Sequence, residues 1–225
     1  MNVFIFYGNN NPRGSKTNEF IQSLIGQLNE MNTVNTIYYR DFNNTHLDFI
    51  TSWIETINNN KEVIKIKKEM LDSQIIIFIS PVFSHNISSQ MKLFVEHLSS
   101  WIHTMPLVGK LGIPISISNN NGNDTVNNYL KKIMEYFGLS IIPAISIKTK
   151  NLTTVGIESF ANYTIRQINR NLPKILELIT DNQELIFKSD KQVNSILEVN
   201  HPERIEFFDN DYSHAGSLKE FLQNK

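Results

Sequence analysis

The feature that most constrains this chain is an alternation of short apolar runs with longer stretches whose apolar residues recur at helical spacing. Val3-Phe4-Ile5-Phe6-Tyr7 is an uninterrupted apolar run ended by Gly8, as expected of a strand buried on both faces. Ile75 to Ile79 is the clearest such run, and Pro81 is expected to halt it. Val34 to Arg40, Gly112 to Ser118 and Ile141 to Ile147 complete a set of five strands. Helical spacing links Phe20, Ile21, Leu24, Ile25, Leu28 and Met31, then Met91, Phe94, Val95, Leu98 and Ile102. It recurs in Val126, Leu130, Ile133, Met134 and Phe137, with Gly138 placed for a left-handed C-cap. Leu47 to Leu71 is predicted helical in two pieces broken at Asn58 to Asn60, and Phe160 to Ile179 forms a last core helix. Pro143 suits an edge position, whereas Pro114 requires a strand start or a bulge.

Alternation of this kind implies a parallel α/β sheet with right-handed crossovers. The spacing leaves both the dinucleotide-type and the flavodoxin-type strand orders open. In either, ligands gather beyond the carboxyl ends of the strands, where the strand order reverses. The loops after the first, third and fourth strands are therefore where chemistry is expected.

Composition removes many alternatives. The 225 residues suit one α/β domain with a full core, and 21 basic against 22 acidic residues give no charge excess for nucleic acid or an anionic membrane. Cysteine is absent, which excludes disulfides, thiol catalysis and iron–sulfur ligation. The opening apolar run is too short for a signal core or a membrane span, so a cytoplasmic protein is expected. No Gly-x-Ser-x-Gly elbow or His-Glu-x-x-His helix occurs. Glu96, His97 and His103 are expected on a helix surface or interface, and Trp53 and Trp101 as packing anchors. His201, Glu203, Glu206, Asp209, Asp211 and His214 match no calcium or zinc spacing and read as solvated surface. No metal site and no catalytic acid or base is assigned.

The first loop, Gly8-Asn9-Asn10-Asn11-Pro12-Arg13-Gly14-Ser15-Lys16-Thr17-Asn18, leaves a strand and enters a helix. A helix N-terminus with a small Gly14, hydroxyls at Ser15 and Thr17, and charge from Arg13 and Lys16 makes a phosphate pocket. The same residues also serve as a plain N-cap. A dinucleotide fingerprint fails for lack of glycines, and a nucleotide P-loop fails because Ser15 separates Gly14 from Lys16. The second loop, Ser80 to Gln90, offers backbone amides and an aromatic ring to a flat heterocycle. The third, Ser118-Asn119-Asn120-Asn121-Gly122-Asn123, is polar.

Ser80-Pro81-Val82-Phe83 followed by Ile87-Ser88-Ser89-Gln90-Met91-Lys92 resembles the segment S-P-[VI]-Y…[MI]-S-[GA]-x-[LM]-K of the NAD(P)H-dependent FMN reductases, a branch of the flavodoxin-like superfamily. The first loop resembles that family's phosphate loop, with Arg13, Ser15 and Thr17 in matching roles. Leu107-Val108-Gly109-Lys110, leading into the fourth strand and the Asn-Gly loop, resembles its third flavin segment. The resemblance covers roughly residues 1 to 180. It implies a flavodoxin-like three-layer sandwich with strand order 2-1-3-4-5, and FMN held without a covalent bond. The implied contacts are Asn9, Arg13, Ser15, Lys16 and Thr17, then Pro81, Val82, Phe83, Ser84, His85 and Asn86, then Ser118, Asn119, Asn120, Asn121 and Gly122. Asn9 stands in place of the usual serine and Phe83 in place of tyrosine. Asn119 to Asn121 replace a glycine pair and bring side-chain bulk to the pyrimidine end of the ring.

The implied activity carries electrons from NADH or NADPH through FMN to a small acceptor: a quinone, free flavin, azo or nitro compound, or metal ion. A flavodoxin-type electron carrier and a flavin-free interaction module are the alternatives. A homodimer or homotetramer is implied, and apolar Trp101, Ile102, Met105 and Leu107 are expected to add to the subunit contact. Residues 181–225 form a C-terminal extension beyond the 1–180 domain. Its apolar content argues against disorder. It is expected either as an arm or lid anchored by Phe207, Phe208 and Tyr212, or as elements added to the same subunit's edge.

Overall fold

The computed structural model describes residues 1–52 and 61–224. Five strand positions form one sheet: β2 (Thr36–Arg40), β1 (Asn2–Tyr7), β3 (Ile75–Phe83), β5 (Leu111–Ser118) and an edge shared by β6 (Ser140–Ile141) and β7 (Ile145–Lys148). All these pairings are parallel, with Tyr7 opposite Ile79 and Ile79 opposite Ile115 in the middle of the sheet. The position order is thus 2-1-3-4-5. A short β4 (Asn86–Ile87) folds back antiparallel onto β3.

The apolar strands alternate between two cores. Val3, Ile5, Tyr7, Ile75, Ile77 and Ile79 face α1 (Lys16–Glu30) and α5 (Thr154–Asn171). Phe4, Phe6, Ile76 and Phe78 face α2 (Lys61–Asp72), α3 (Ser89–His97) and α4 (Asn123–Tyr136). A sheet covered on both faces needs apolar side chains of either parity, which is why its central strands do not alternate with polar residues. Phe6 stacks on Phe94 at 3.6 Å between ring centroids. Gly138 takes φ +90°, in the left-handed cap its position foretold.

The prolines explain three departures from the expected strands. β3 runs through Pro81 to Phe83. Ile79 accepts a hydrogen bond from the Gly8 amide, so Pro81, two residues on, points its missing N–H to that same side, where β1 has already ended. Gly112 likewise accepts from Ile142 on the outer side, which places the missing donor of Pro114 opposite residues 142–144. There the expected strand Ile141 to Ile147 is interrupted, at Pro143, between β6 and β7. The two prolines share one gap in the edge, and no ladder hydrogen bond is lost.

Residues 47–52 are not helical; the expected break at Asn58 to Asn60, and Trp53, lie outside the described residues. The last core helix starts at Thr154, earlier than expected, and its end loosens into a 3-10 turn over Leu172–Leu178. His97 is buried, with Nε2 donating to the Asp48 carbonyl at 2.8 Å, contrary to a surface role.

Residues 181–224 form α6 (Asp181–Ile196), α7 (Pro202–Phe208), a 3-10 turn over Asp211–His214 and α8 (Leu218–Gln223). Thr180 and Gln183 close a capping box at the start of α6. Phe187, Phe207, Tyr212 and Leu218 pack with Met105, Val108 and Ile179 in a third core. Trp101, Met105 and Leu107, expected to extend a subunit contact, are at most 1% exposed within their own chain. The tail covers the end of the sheet where β3 and β5 begin, away from the loops; Phe207 and Tyr212 are spent there rather than on an arm. No described helix is long and apolar enough to cross a membrane.

Candidate functional site

At the opposite end of the sheet, three chain segments leave adjacent strands and are tied to one another. The first follows β1. Gly8 sits so close to α3 that a Cβ would lie 2.5 Å from Met91 Cβ, and its carbonyl accepts from the Ser88 hydroxyl. Gly14 takes φ +76° with open space where a side chain would stand. Ser15 is the N-cap of α1, its Oγ accepting from the Asn18 amide at 3.0 Å. The amides of Lys16 and Thr17 come too early in the helix to find an intrahelical acceptor. The cap and the phosphate pocket are compatible, since the Ser15 oxygen serves Asn18 while its proton remains available to an anion. Arg13 is exposed. Lys16 reaches across to the Thr149 carbonyl at 2.8 Å, which fastens this loop to the turn after β7.

The second segment is a hairpin rather than an open loop. Val82 pairs with Ile87 and Phe83 with Asn86, so the turn consists of Ser84 and His85 alone, at φ +48° and +59°. A two-residue turn with both residues left-handed normally employs Asn-Gly. Holding two side-chain-bearing residues there stores strain, and such strain concentrates at functional sites. Pro81 is buried, whereas Phe83, Ser84, His85 and Asn86 are exposed. Ser88 caps α3 by accepting from Met91 N at 3.0 Å.

The third segment follows β5. Gly122 opens α4 at φ +83°, and a Cβ there would lie 2.7 Å from Val82 Cγ1 and 3.2 Å from His85 Nδ1. Only glycine allows the hairpin tip and the third loop to approach this closely. Ser118 Oγ donates to Asn123 Oδ1 at 2.6 Å, and Asn123 Nδ2 donates to Ser116 Oγ at 2.9 Å. These bonds pin the base of the loop. The side chains of Asn119, Asn120 and Asn121 are exposed.

Several residues at this end were not singled out by sequence reasoning. Asn11 is buried, with Nδ2 donating to the Tyr39 hydroxyl at 3.0 Å, and Tyr39 in turn donates to Asp41 at 2.7 Å. The Phe42 amide donates to the Asn9 carbonyl at 3.2 Å, so the turn after β2 straps down the first loop. Burial, then the bond to Asp41, pushes the Tyr39 hydroxyl pKa well up, and burial does the same for Tyr7 beside Thr17 and Asn9. Both phenols therefore stay neutral, and Tyr39 donates to Asp41. Thr149 and Lys150 hydrogen-bond through their amides to the Ser118 and Asn119 carbonyls at 2.8 and 3.0 Å. The rule that ligands lie beyond strand ends would have pointed to these residues after the second and fifth strands. Asn11 was hidden inside an asparagine triplet that resembles compositional bias. Among the described residues, no group of three His, Asp or Glu is arranged to hold a metal ion.

The model of a family described as NADPH-dependent FMN reductase matches residues 1–151, the stretch that contains all three segments. No curated protein sequence matches the chain. Among solved structures, an NADH:FMN oxidoreductase (EMOB) in its apo form is 11% identical with a TM-score of 0.57, over 76% of this chain and 88% of that one. An FMN-dependent NADH-azoreductase from Bacillus anthracis in complex with FMN is 15% identical with a TM-score of 0.55, over 76% and 99%. RosB with a bound flavin-phosphate intermediate is 12% identical with a TM-score of 0.56, over 90% and 93%. That last share necessarily reaches into residues 181–225. At these identities the likeness is one of fold.

Proposed function

The chain belongs to the NADPH-dependent FMN reductase family of oxidoreductases, and on that premise we propose that residues 1–180 bind FMN and pass electrons from NADH or NADPH to a small acceptor. The observation that carries this reading is the joining of three ligand-type features at one sheet end: the α1 N-terminus, the strained Ser84–His85 turn and the Gly122 cradle.

The residues present fit the group. The amides of Lys16 and Thr17, the hydroxyls of Ser15 and Thr17, and the charge of Arg13 and Lys16 suit a phosphate dianion at a helix N-terminus. The backbone from Pro81 to Asn86 and from Ser118 to Gly122 offers amides to the polar edge of a flat ring. Bound FMN would supply the hydride-accepting chemistry, and the protein supplies position, hydrogen bonds and a site partly shielded from water. No side chain is required as an acid or base. The acceptor class is a quinone, free flavin, azo or nitro compound, or metal ion. A nicotinamide donor fits a cytoplasmic setting.

The homodimer belongs to the same proposal, but its face moves. The surface around Trp101 is used internally, whereas Leu185, Val193 and Ile196 stand 66%, 40% and 80% exposed on α6. Light scattering that returns a monomer mass at micromolar concentration would remove this part.

The decisive experiment is anaerobic. Protein reconstituted with FMN should show flavin absorbance that bleaches on adding NADH or NADPH. Bleaching by a chemical reductant alone would identify an electron carrier instead. Failure to retain any flavin would leave only the flavin-free interaction module.

A further inference from the structure

The tail does not dock through apolar contacts alone. Between the third core and solvent runs a polar seam, in which α6 and α7 meet the Ser99–His103 turn and α2. Asp190 and Asn194 come from α6, Glu203 and Glu206 from α7, His103 and Thr104 from the turn, and Lys67 from α2. His201 and Tyr212 border it. Asn194 is fully buried and donates from Nδ2 to the His103 carbonyl at 2.8 Å and to the Asp190 carbonyl at 2.9 Å. Asp190 and Glu203 are 5% and 7% exposed. His103 Nδ1 lies 3.8 Å from Asp190 Oδ1, an ion-pair distance that is too long for a hydrogen bond.

The donor count in this seam does not close. Asp190 Oδ2, Asn194 Oδ1 and Glu203 Oε1 are buried and receive no hydrogen bond. All three are acceptors, and an unpaired buried acceptor costs free energy comparable to a lost hydrogen bond. Ionised carboxylates only accept, whereas a protonated carboxyl also donates. A single proton on Asp190 or Glu203 therefore creates the kind of group that the seam lacks, and it removes a like-charge repulsion as well.

We propose that this seam is a proton-linked latch: residues 181–224 dock with uptake of a proton and are held less tightly as pH rises. Release uncovers Met105, Val108 and Ile179, which the docked tail buries.

The electrostatics of Asp190, Glu203, Glu206, His103 and Tyr212 agree in sign, and those of Lys67 do not. Burial pushes the Asp190 carboxyl pKa up, with His103 pulling it back. Burial does the same to Glu203, against His103 and His201. Glu206 is also raised by burial, with Lys67, Trp101 and Thr104 pulling the other way. The Asp190 carboxylate raises His103, against the cost of burial. Each of these groups holds its proton to higher pH when docked than when released. Docking stability is therefore full at low pH and is lost as pH climbs, from the ordinary carboxylate range of about 4 through and beyond the ordinary histidine value of about 6.5. The exception is Lys67, which burial lowers and which acts only at alkaline pH.

Amide hydrogen exchange of the full chain, corrected for intrinsic pH dependence, tests this between about pH 5 and 8. The opening constant of α6 and α7 should rise with pH by up to about tenfold per pH unit for each linked proton. The amides of β3 and β5 should not follow. In the Asp190→Asn, Glu203→Gln double variant, amide donors replace the absent hydroxyls, and the slope should flatten. Tail protection that is independent of pH in the wild-type chain overturns the proposal without reference to any variant. An unchanged slope in the double variant overturns it too, as does a slope shared equally by β3 and β5.

Discussion

An alanine Cβ at position 122 would sit 2.7 Å from Val82 Cγ1 in a backbone conformation of φ +83°. Gly122→Ala should therefore cost about 1–2 kcal/mol from the left-handed backbone alone, and more from the clash. A denaturant midpoint will read that loss, and flavin titration should show weaker binding as the hairpin tip is pushed off the third loop. The opposite sign is expected at His85, which bears φ +59° without being glycine. His85→Gly relieves strain and should stabilise by a few tenths to about 1 kcal/mol; a loss of stability would show the turn to be held by side-chain contacts instead. Ser15→Ala removes a cap worth about 1 kcal/mol. The double Ser15→Ala, Thr17→Ala variant should weaken flavin binding at least about tenfold, because each lost donor to a charged phosphate is worth roughly 1.5–3 kcal/mol. An unaltered flavin Kd would place the phosphate elsewhere. Residue types and their order foretold Ser15 as a helix cap. The strain at Ser84 and His85 was not legible, since nothing local demands a two-residue turn until β4 pairs with β3.

Among elements, the edge strand β2 is held by charge. Arg40 reaches Glu69 on α2 through Nε at 2.9 Å and Nη2 at 2.5 Å, and Glu62 at 3.1 Å. The Arg40 and Glu69 side chains are only 12% and 11% exposed. Removing Glu69 leaves the nearly buried Arg40 guanidinium with Glu62 alone. Glu69→Ala should therefore cost less than the about 3–5 kcal/mol of a fully stranded buried charge by thermal or denaturant melting, and Arg40→Met with Glu69→Leu should recover most of that loss. Equal losses in the two variants would mean that packing, not charge pairing, holds β2. The sequence shows Arg40 at a strand end and Glu69 on a helical stretch. Their pairing depends on a crossover that brings α2 beside β2, and periodicity does not give that distance.

For the molecule as a whole, the two ends of the sheet are covered differently. The loops lie beyond the carboxyl ends of β1, β3 and β5, and the tail covers the other end through the third core. Truncation after Thr180 should therefore expose Met105, Val108 and Ile179, lower Tm and raise binding of a hydrophobic dye, while bound flavin is retained. Loss of flavin without loss of stability would contradict this division. Exposed apolar positions on α6 then become the surface to vary when subunit association is measured.

By itself, the sequence determined the succession of strands and helices, the parallel sheet and the helix cap in the first loop. Those properties are written in short-range periodicity, capping residues and hydroxyls at a helix start, and they need no partner from elsewhere in the chain. Its resemblance to a family supplied the strand order. Only the tertiary structure decided how Pro81 and Pro114 could sit inside strands, because the answer is where the neighbouring strands stop. It also decided that Trp101, Met105 and Leu107 are core rather than contact surface. Apolar residues announce that they will be buried, but the surface that buries them is fixed by long-range packing alone: Trp101 and Leu107 join the core around Phe137, whereas Met105 joins Phe187, Phe207, Tyr212 and Leu218 of the tail.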